Sequence, residues 1–409
     1  MAVVGGASAQ VTISGIMDAY VGSGNSFGQK YSVLGQSGAR TTTFKFNGVE
    51  DVGGGIKAKF QFEVQPQFVA GDGNAYNTTI WGAGLGNNGS AQTGPSPNQI
   101  ASGLAGKGQS FVALEAAGFD VRLGTNNVTG IDVQVNGAGG ANGFGTAIGS
   151  GYGAGFGSTS QNTYTRFEES IKIITPEING IKATYLTNLK NDKAYGSTTG
   201  GYTLRRPAVS EWGALYANGP VTLNASLLSS KQSDNEATTT STSTTNYTAL
   251  TSGVTTKYTS YSASYDLGTA RIGFISQKVK NDATAYNSST AIAGNPATDA
   301  KWQMLTANIP VGAYRVLIGS GKYSLVNNPA TILNGQKNTL TSFALEYDLS
   351  KRTYLYGRFQ SGSNGASNGA TTLVNGAVDT GTSITSGNTA AQLKTQSFNL
   401  GAIGISHAF

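Results

Sequence analysis

The sequence predicts an all-β chain closed into a 16-stranded antiparallel transmembrane β-barrel with short turns at one end and long loops at the other. Three observations predict it. Apolar and polar residues alternate through many segments about ten residues long, the connections between those segments alternate between short and long, and the chain lacks the charge and helical periodicity of a large soluble domain. Only 12% of the 409 residues are charged, roughly half the share in soluble domains.

The clearest segment sets the pattern. From Ile56 to Gln65, the residues Ile56, Ala58, Phe60, Phe62 and Val64 share one face, and Lys57, Lys59, Gln61, Glu63 and Gln65 share the other. Before it, Phe44 and Phe46 alternate with Thr43, Lys45 and Asn47, and Val49–Gly55 supplies a glycine-rich tight turn. Taken in order, the expected strands are 11–23, 40–48, 56–68, 109–116, 119–125, 163–175, 180–190, 207–217, 221–231, 255–265, 270–279, 300–309, 314–326, 338–347, 353–361 and 394–409. The short connections, such as Ala116–Gly118, Asn218–Pro220 and Pro310–Gly312, carry the Gly, Asn, Asp or Pro of tight turns. The long ones are 24–39, 69–108, 126–162, 191–206, 232–254, 280–299, 327–337 and 362–393, rich in Gly, Ser, Thr and Asn. Both chain ends then lie on the short-turn side, as in an up-and-down barrel.

Aromatic placement agrees. Phe46, Tyr216, Tyr265, Tyr314, Tyr347 and Tyr354 sit within a few residues of short turns, where a membrane girdle stands. In the last strand Phe409, His407, Ile405 and Ile403 share a face expected to meet lipid or a neighbouring subunit. Arg40 has the parity of Phe44 and Phe46, so it is expected to snorkel outward or join a loop.

Composition excludes several function classes. No window sustains apolar residues at i, i+3, i+4 and i+7 as an amphipathic helix would, and no apolar run reaches the ~18 residues of a spanning helix. There are no cysteines, hence no disulfide or thiolate metal site, and neither metal nor cofactor is expected. The net charge of +6 is spread along the chain, which argues against nucleic acid as a partner. Catalysis is not expected, because the one histidine, His407, lies near the terminus on an outward face. Ala7-Ser8-Ala9 before Gln10 has the small-x-small pattern of a signal-peptidase site, so residues 1–9 read as a signal-peptide remnant and 10–409 as the barrel. Thr238–Thr245 reads as an exposed loop tip.

A barrel this wide leaves an aqueous lumen, so inward positions should be polar. Alternation assigns to the lumen Lys45, Lys57, Lys59, Gln61, Glu63, Asp120, Arg122, Arg166, Glu168, Lys172, Lys182 and Arg358. Lys45, Lys57, Arg122, Arg166 and Lys172 then form a basic ladder facing Asp132 on the loop 126–162, a loop whose many glycines suit close packing on the wall. The constriction candidates are Lys45, Lys57, Lys59, Arg122, Arg166, Lys172, Asp132, Glu63 and Glu168.

Four segments in order, Gly48–Ala58, Asp120–Gly124, Tyr347–Thr353 and His407–Phe409, resemble the general porins of Gram-negative bacteria, of the neisserial and β-proteobacterial type. The resemblance implies a trimeric barrel in the cell outer membrane, with the third long loop folded inward to narrow the pore. It implies passive diffusion of small hydrophilic solutes and ions, with outer-membrane lipid and lipopolysaccharide as surroundings. In anion-preferring relatives arginines commonly stand at the positions of Thr43, Gln109 and Thr125, so here only a weak anion preference is expected. The alternatives are a channel biased toward small organic anions, or a β-rich surface adhesin.

Overall fold

The computed structural model describes residues 10–26, 29–36, 38–64, 66, 108–137, 166–189, 208–231, 255–281, 299–327, 337–363 and 398–409. Its strands are β1 (Gln10–Ser26), β2 (Gln29–Gln36), β3 (Thr43–Gly53), β4 (Ile56–Val64), β5 (Ser110–Ala116), β6 (Phe119–Asn127), β7 (Arg166–Ile174), β8 (Ile181–Asn188) and β9 (Ala208–Asn218). They continue as β10 (Val221–Lys231), β11 (Thr255–Asp266), β12 (Arg271–Asn281), β13 (Asp299–Val311), β14 (Tyr314–Asn327), β15 (Lys337–Asp348), β16 (Thr353–Ser363) and β17 (Phe398–Ala408). One helix, α1 (Thr129–Gly137), follows β6.

Every strand is antiparallel to its neighbour, and β1 pairs with β17, which closes the sheet into a barrel. Seventeen segments make a barrel of sixteen strands because β2 and β3 are one strand with a break. β1 is paired along its first half with β3 and along its second with β2. The expected loop 24–39 is therefore mostly hairpin. At the break the buried Asp18 carboxylate accepts the backbone N–H groups of Gly38 (2.6 Å), Ala39 (3.2 Å) and Arg40 (3.0 Å), plus the Tyr356 hydroxyl at 2.7 Å. A carboxylate thus takes over donors that the ladder would otherwise satisfy. The expected signal remnant 1–9 and the Ser/Thr tract 238–245 lie outside the described residues.

The outer face carries the apolar half of the alternation. Val112, Leu114, Leu123, Leu227, Leu305 and Ile403 are all exposed, as a lipid-facing surface requires. Tyr265, Tyr314 and Tyr347 join it near the short turns, the last two with ring centroids 4.7 Å apart. Tyr354, expected in that girdle, instead points into the lumen and is 3% exposed, because its register partner Ser406 pairs in turn with the inward Asp18.

The seam is sealed by Phe409. Gly15 and Phe409 exchange backbone hydrogen bonds of 3.1 Å, and the Phe409 ring lies over Gly15, beside Phe44 at 5.2 Å. The ring fills the space where a side chain on residue 15 would stand. Phe409→Ala should lower the melting temperature of the folded barrel in detergent by about 2–6 °C, read as the temperature at which gel mobility switches to that of the unfolded chain. An unchanged transition would show that the ring adds nothing to closure.

Candidate functional site: the lumen and its constriction

Helix α1 narrows the lumen, and its hold on the wall begins with sequence features that are weak in isolation. Val128, Ile131 and Val135 fall at helical spacing, but nine residues that include Thr129, two valines, Asn136 and two glycines form no stable helix alone. The barrel supplies the rest. Glu211 of β9, fully buried, accepts the first N–H groups of the helix, from Thr129 at 2.8 Å and Gly130 at 2.9 Å, and the Ser226 hydroxyl at 2.6 Å. A carboxylate at a helix N-terminus satisfies orphan donors and complements the dipole. The Thr129 and Thr184 hydroxyls lie 2.6 Å apart, and Asn136 donates to Asn224 at 3.0 Å. At the far end Thr306 donates to the Gly137 carbonyl at 2.8 Å, and Gly273 leaves room for that carbonyl to approach the wall.

Beneath α1 the inner wall departs from the polar pattern expected of it. Phe167, Leu186, Val209, Leu228, Tyr258 and Val279 cluster with Val128 and Ile131. These inward residues form an apolar strip that the helix covers, so both faces of the sheet are apolar there. The expectation of no helix is corrected accordingly: α1 exists because this strip and Glu211 receive it. Residues 138–165, the remainder of the predicted inward loop, lie outside the described residues.

The predicted lumen residues divide. Lys45, Lys57, Lys59, Glu63, Asp120 and Arg122 stand on the inner face of β3–β6. Lys45 pairs with Glu63 at 3.5 Å, and Lys57 with Glu115 at 3.8 Å. Lys59 binds Glu115 and approaches Asp120 at 3.5 Å, and Arg122 binds Asp120 at 2.9 Å while lying 4.5 Å from the Phe111 ring centroid. Gln61 reaches Glu63 at 3.4 Å. Lys182 pairs with Glu177 at 2.7 Å beside a short turn. Lys172 is 4% exposed and donates to the Asn127 carbonyl at 2.8 Å, so it braces the chain entering α1 and does not present its charge to solvent.

At Arg166 and Glu168 the alternation that assigned them to the lumen is interrupted. Glu169 has φ 49° and the β6–β7 register shifts between Gly124 and Asn126, a bulge that resets alternation. Phe167 takes the inward place in the cluster under α1.

Beyond the β1–β17 seam, on β14–β16, stands a second charged group, of which the sequence placed Arg358 in the lumen but not Arg315, Glu346 or Asp348. Arg315 reaches Glu346 and Asp348, each at 3.0 Å, and Arg358 reaches Glu346 at 2.9 Å. Arg40, expected outside, lies with its guanidinium 5.2 Å from the Tyr354 ring centroid, while that of Arg315 lies 5.4 Å from the same centroid. The break between β2 and β3 removes the parity on which the outward expectation for Arg40 rested. Glu115, Glu211 and Asp18 were also missed; the inward parity of Glu115 with Ala113, and of Glu211 opposite Trp212, was the available signal.

The sequence matches the Gram-negative porin family over residues 1–367. The chain belongs to the Gram-negative porins. It is 27% identical over 378 residues to outer membrane porin protein 32 of Delftia acidovorans, covering 87% of this chain and 85% of that one. Among solved structures, the anion-selective porin from Comamonas acidovorans matches at TM-score 0.64 and 22% identity, covering 98% of this chain and all of that one. OmpF of Salmonella typhi matches at TM-score 0.61 and 10% identity, covering 98% and 97%. This porin is a passive diffusion channel of the cell outer membrane, with its lumen for a path and α1 across it.

Proposed function

We propose that this porin passes small hydrophilic solutes and ions with a weak preference for anions. The observation that carries it is the charge on the lumen wall. On β3–β6, Lys45, Lys57, Lys59 and Arg122 face Glu63, Glu115 and Asp120, four cations against three carboxylates. Near the β1–β17 seam Arg40, Arg315 and Arg358 stand with Glu346, Asp348 and the inward Asp18, three cations and three carboxylates. Among these ion-paired side chains the β3–β6 wall keeps one positive charge in excess, which biases ions at close quarters. The kinship with an outer-membrane porin and the likeness to a porin titled anion-selective support the same sign. The barrel acts as a homotrimer, a reading supported by its likeness to a trimeric form of OmpT of Vibrio cholerae (TM-score 0.60), and it carries out no covalent chemistry. Residues 1–9 are the remnant of an export signal.

Asp132 modulates the bias. Burial pushes its carboxyl above the ordinary value, against the opposing pull of Lys172 and Arg122. It therefore takes up a proton at a higher pH than an ordinary carboxylate. Acidification then removes a negative charge from the constriction, so anion preference rises as pH falls, and Asp132→Asn flattens that part of the curve. The test is the reversal potential and single-channel current of purified protein in a planar bilayer under a salt gradient. A chloride-preferring potential is expected; a cation-preferring one overturns the proposal.

A second reading, a channel biased toward small organic anions, is favoured by the two guanidiniums flanking Tyr354, which offer charge beside an aromatic face. Current that saturates with a small carboxylate would select it.

A further inference from the structure

The outer face carries a band of lysines at the long-loop ends of five neighbouring strands. They are Lys231 on β10, Lys257 on β11, Lys278 and Lys280 on β12, Lys301 on β13 and Lys322 on β14, all exposed. Each shares parity with the lipid-facing residues of its own strand: Lys231 with Leu223 and Leu227, Lys257 with Tyr261 and Tyr265, Lys278 and Lys280 with Ile272, Lys301 with Leu305, Lys322 with Ile318. None of them faces the lumen.

Their height is set by the strands. Lys257 stands eight residues from Tyr265, Lys280 eight from Ile272, Lys322 eight from Tyr314 and Lys231 eight from Leu223. At ~3.3 Å per residue and a tilt of about 40°, eight residues climb roughly 20 Å, close to the ~25 Å apolar band of an outer-membrane barrel. The lysines therefore sit where hydrocarbon gives way to headgroups on the long-loop side.

The register adds a second, independent observation. Lys257 is directly opposite Lys280, and Lys278 directly opposite Lys301. Like charges opposed on one sheet face repel. Among the described residues Lys257, Lys278, Lys280, Lys301 and Lys322 make no ion pair. Asp299, the register partner of Lys280, is the acidic position at these strand ends among the described residues. An anion between the strands would relieve the repulsion. A phosphate suits the place, since lysine holds phosphate as a mobile point charge and the neighbouring surface is already lipid-facing.

We propose that this lysine band binds the phosphate groups of the lipid leaflet on the long-loop side, a phosphorylated lipid A-type headgroup lying across the Lys257–Lys280 and Lys278–Lys301 pairs. The inference rests on the placement of the porin in the outer membrane and names the residues by which it holds its surrounding lipid.

The test is native mass spectrometry of the full chain in nonionic detergent with phosphorylated lipid A and with the same lipid A stripped of its phosphates. Wild type should retain the phosphorylated form about tenfold more strongly. The variant with Lys257→Gln, Lys278→Gln, Lys280→Gln and Lys301→Gln should lose that preference, and the four corresponding Lys→Arg changes should keep it. Equal retention of both lipids by wild type, or an unchanged preference in the Gln variant, overturns the proposal. So does an altered oligomeric state in the Gln variant with lipid preference intact, which would assign the face to a subunit contact. Single-channel current separates the two readings: conducting protein without phosphate preference defeats the lysine band alone, whereas folded protein that does not conduct defeats the channel.

Discussion

Glu211→Ala widens the channel. The substitution removes the acceptor of two helix N–H groups and one hydroxyl in a fully buried place, and unsatisfied buried donors cost about 1–3 kcal/mol each. The helix has little else at its entry, because Thr129–Gly137 has low intrinsic propensity. Its departure clears an object about 10 Å across from the lumen, so single-channel conductance should rise by a factor of about two. Gly273→Val disturbs the opposite end by placing a side chain where the Gly137 carbonyl now lies, and it should act in the same direction. Conductance unchanged in both variants, with gel mobility still that of a folded barrel, would mean that α1 is not what limits flow.

Reversing the sign of the β3–β6 wall should reverse the selectivity. Lys59→Glu with Arg122→Glu converts that wall from one excess cation to a surplus of carboxylates around Glu115 and Asp120. A unit charge ~4 Å from a passing ion in water is worth about 1 kcal/mol, roughly fivefold in local concentration. The permeability ratio should therefore move at least severalfold toward cations, with a smaller shift at high salt because screening shortens the reach of the charges. Lys172→Gln makes the contrast, since Lys172 is buried against the Asn127 carbonyl and should alter anchoring of the helix more than ion choice. An anion preference that survives the double reversal would transfer the role to Arg40, Arg315 and Arg358.

The barrel was legible in the sequence because alternation and turn chemistry are local. Ile56–Gln65 shows its two faces without reference to any neighbour, and the predicted strand 221–231 coincides with β10. What was not legible depended on partners far along the chain. Leu227 and Leu228 are apolar neighbours on opposite faces, one lipid-facing and one under α1, and no period-two pattern says that an inner face will be covered. The helix needed Glu211, which lies more than eighty positions away from Gly130. Arg40 was misplaced because parity counts fail across a break, just as the bulge at Glu169 interrupts the alternation through Arg166 and Glu168, and neither the cage around Asp18 nor the positive φ of Glu169 leaves a residue-level signature. The basic wall was half seen. Its cations lie in clean alternating segments, whereas the carboxylates that pair with them, Glu115 above all, became visible only when strands were set side by side.

The seam between β1 and β17 also bears on how the chain reaches its destination. Gly15 and Phe409 stand at opposite ends of a 409-residue chain, and each is the hydrogen-bonding partner of the other. The first strand therefore finds its second neighbour only in the seventeenth. Until β17 docks, β1 and β16 keep bare edges, and such edges invite pairing with other chains. Loop-closure entropy across nearly the whole chain must be met before the last pairing repays it. Closure is thus the longest-range pairing of the fold, and Phe409 is its latch on Gly15.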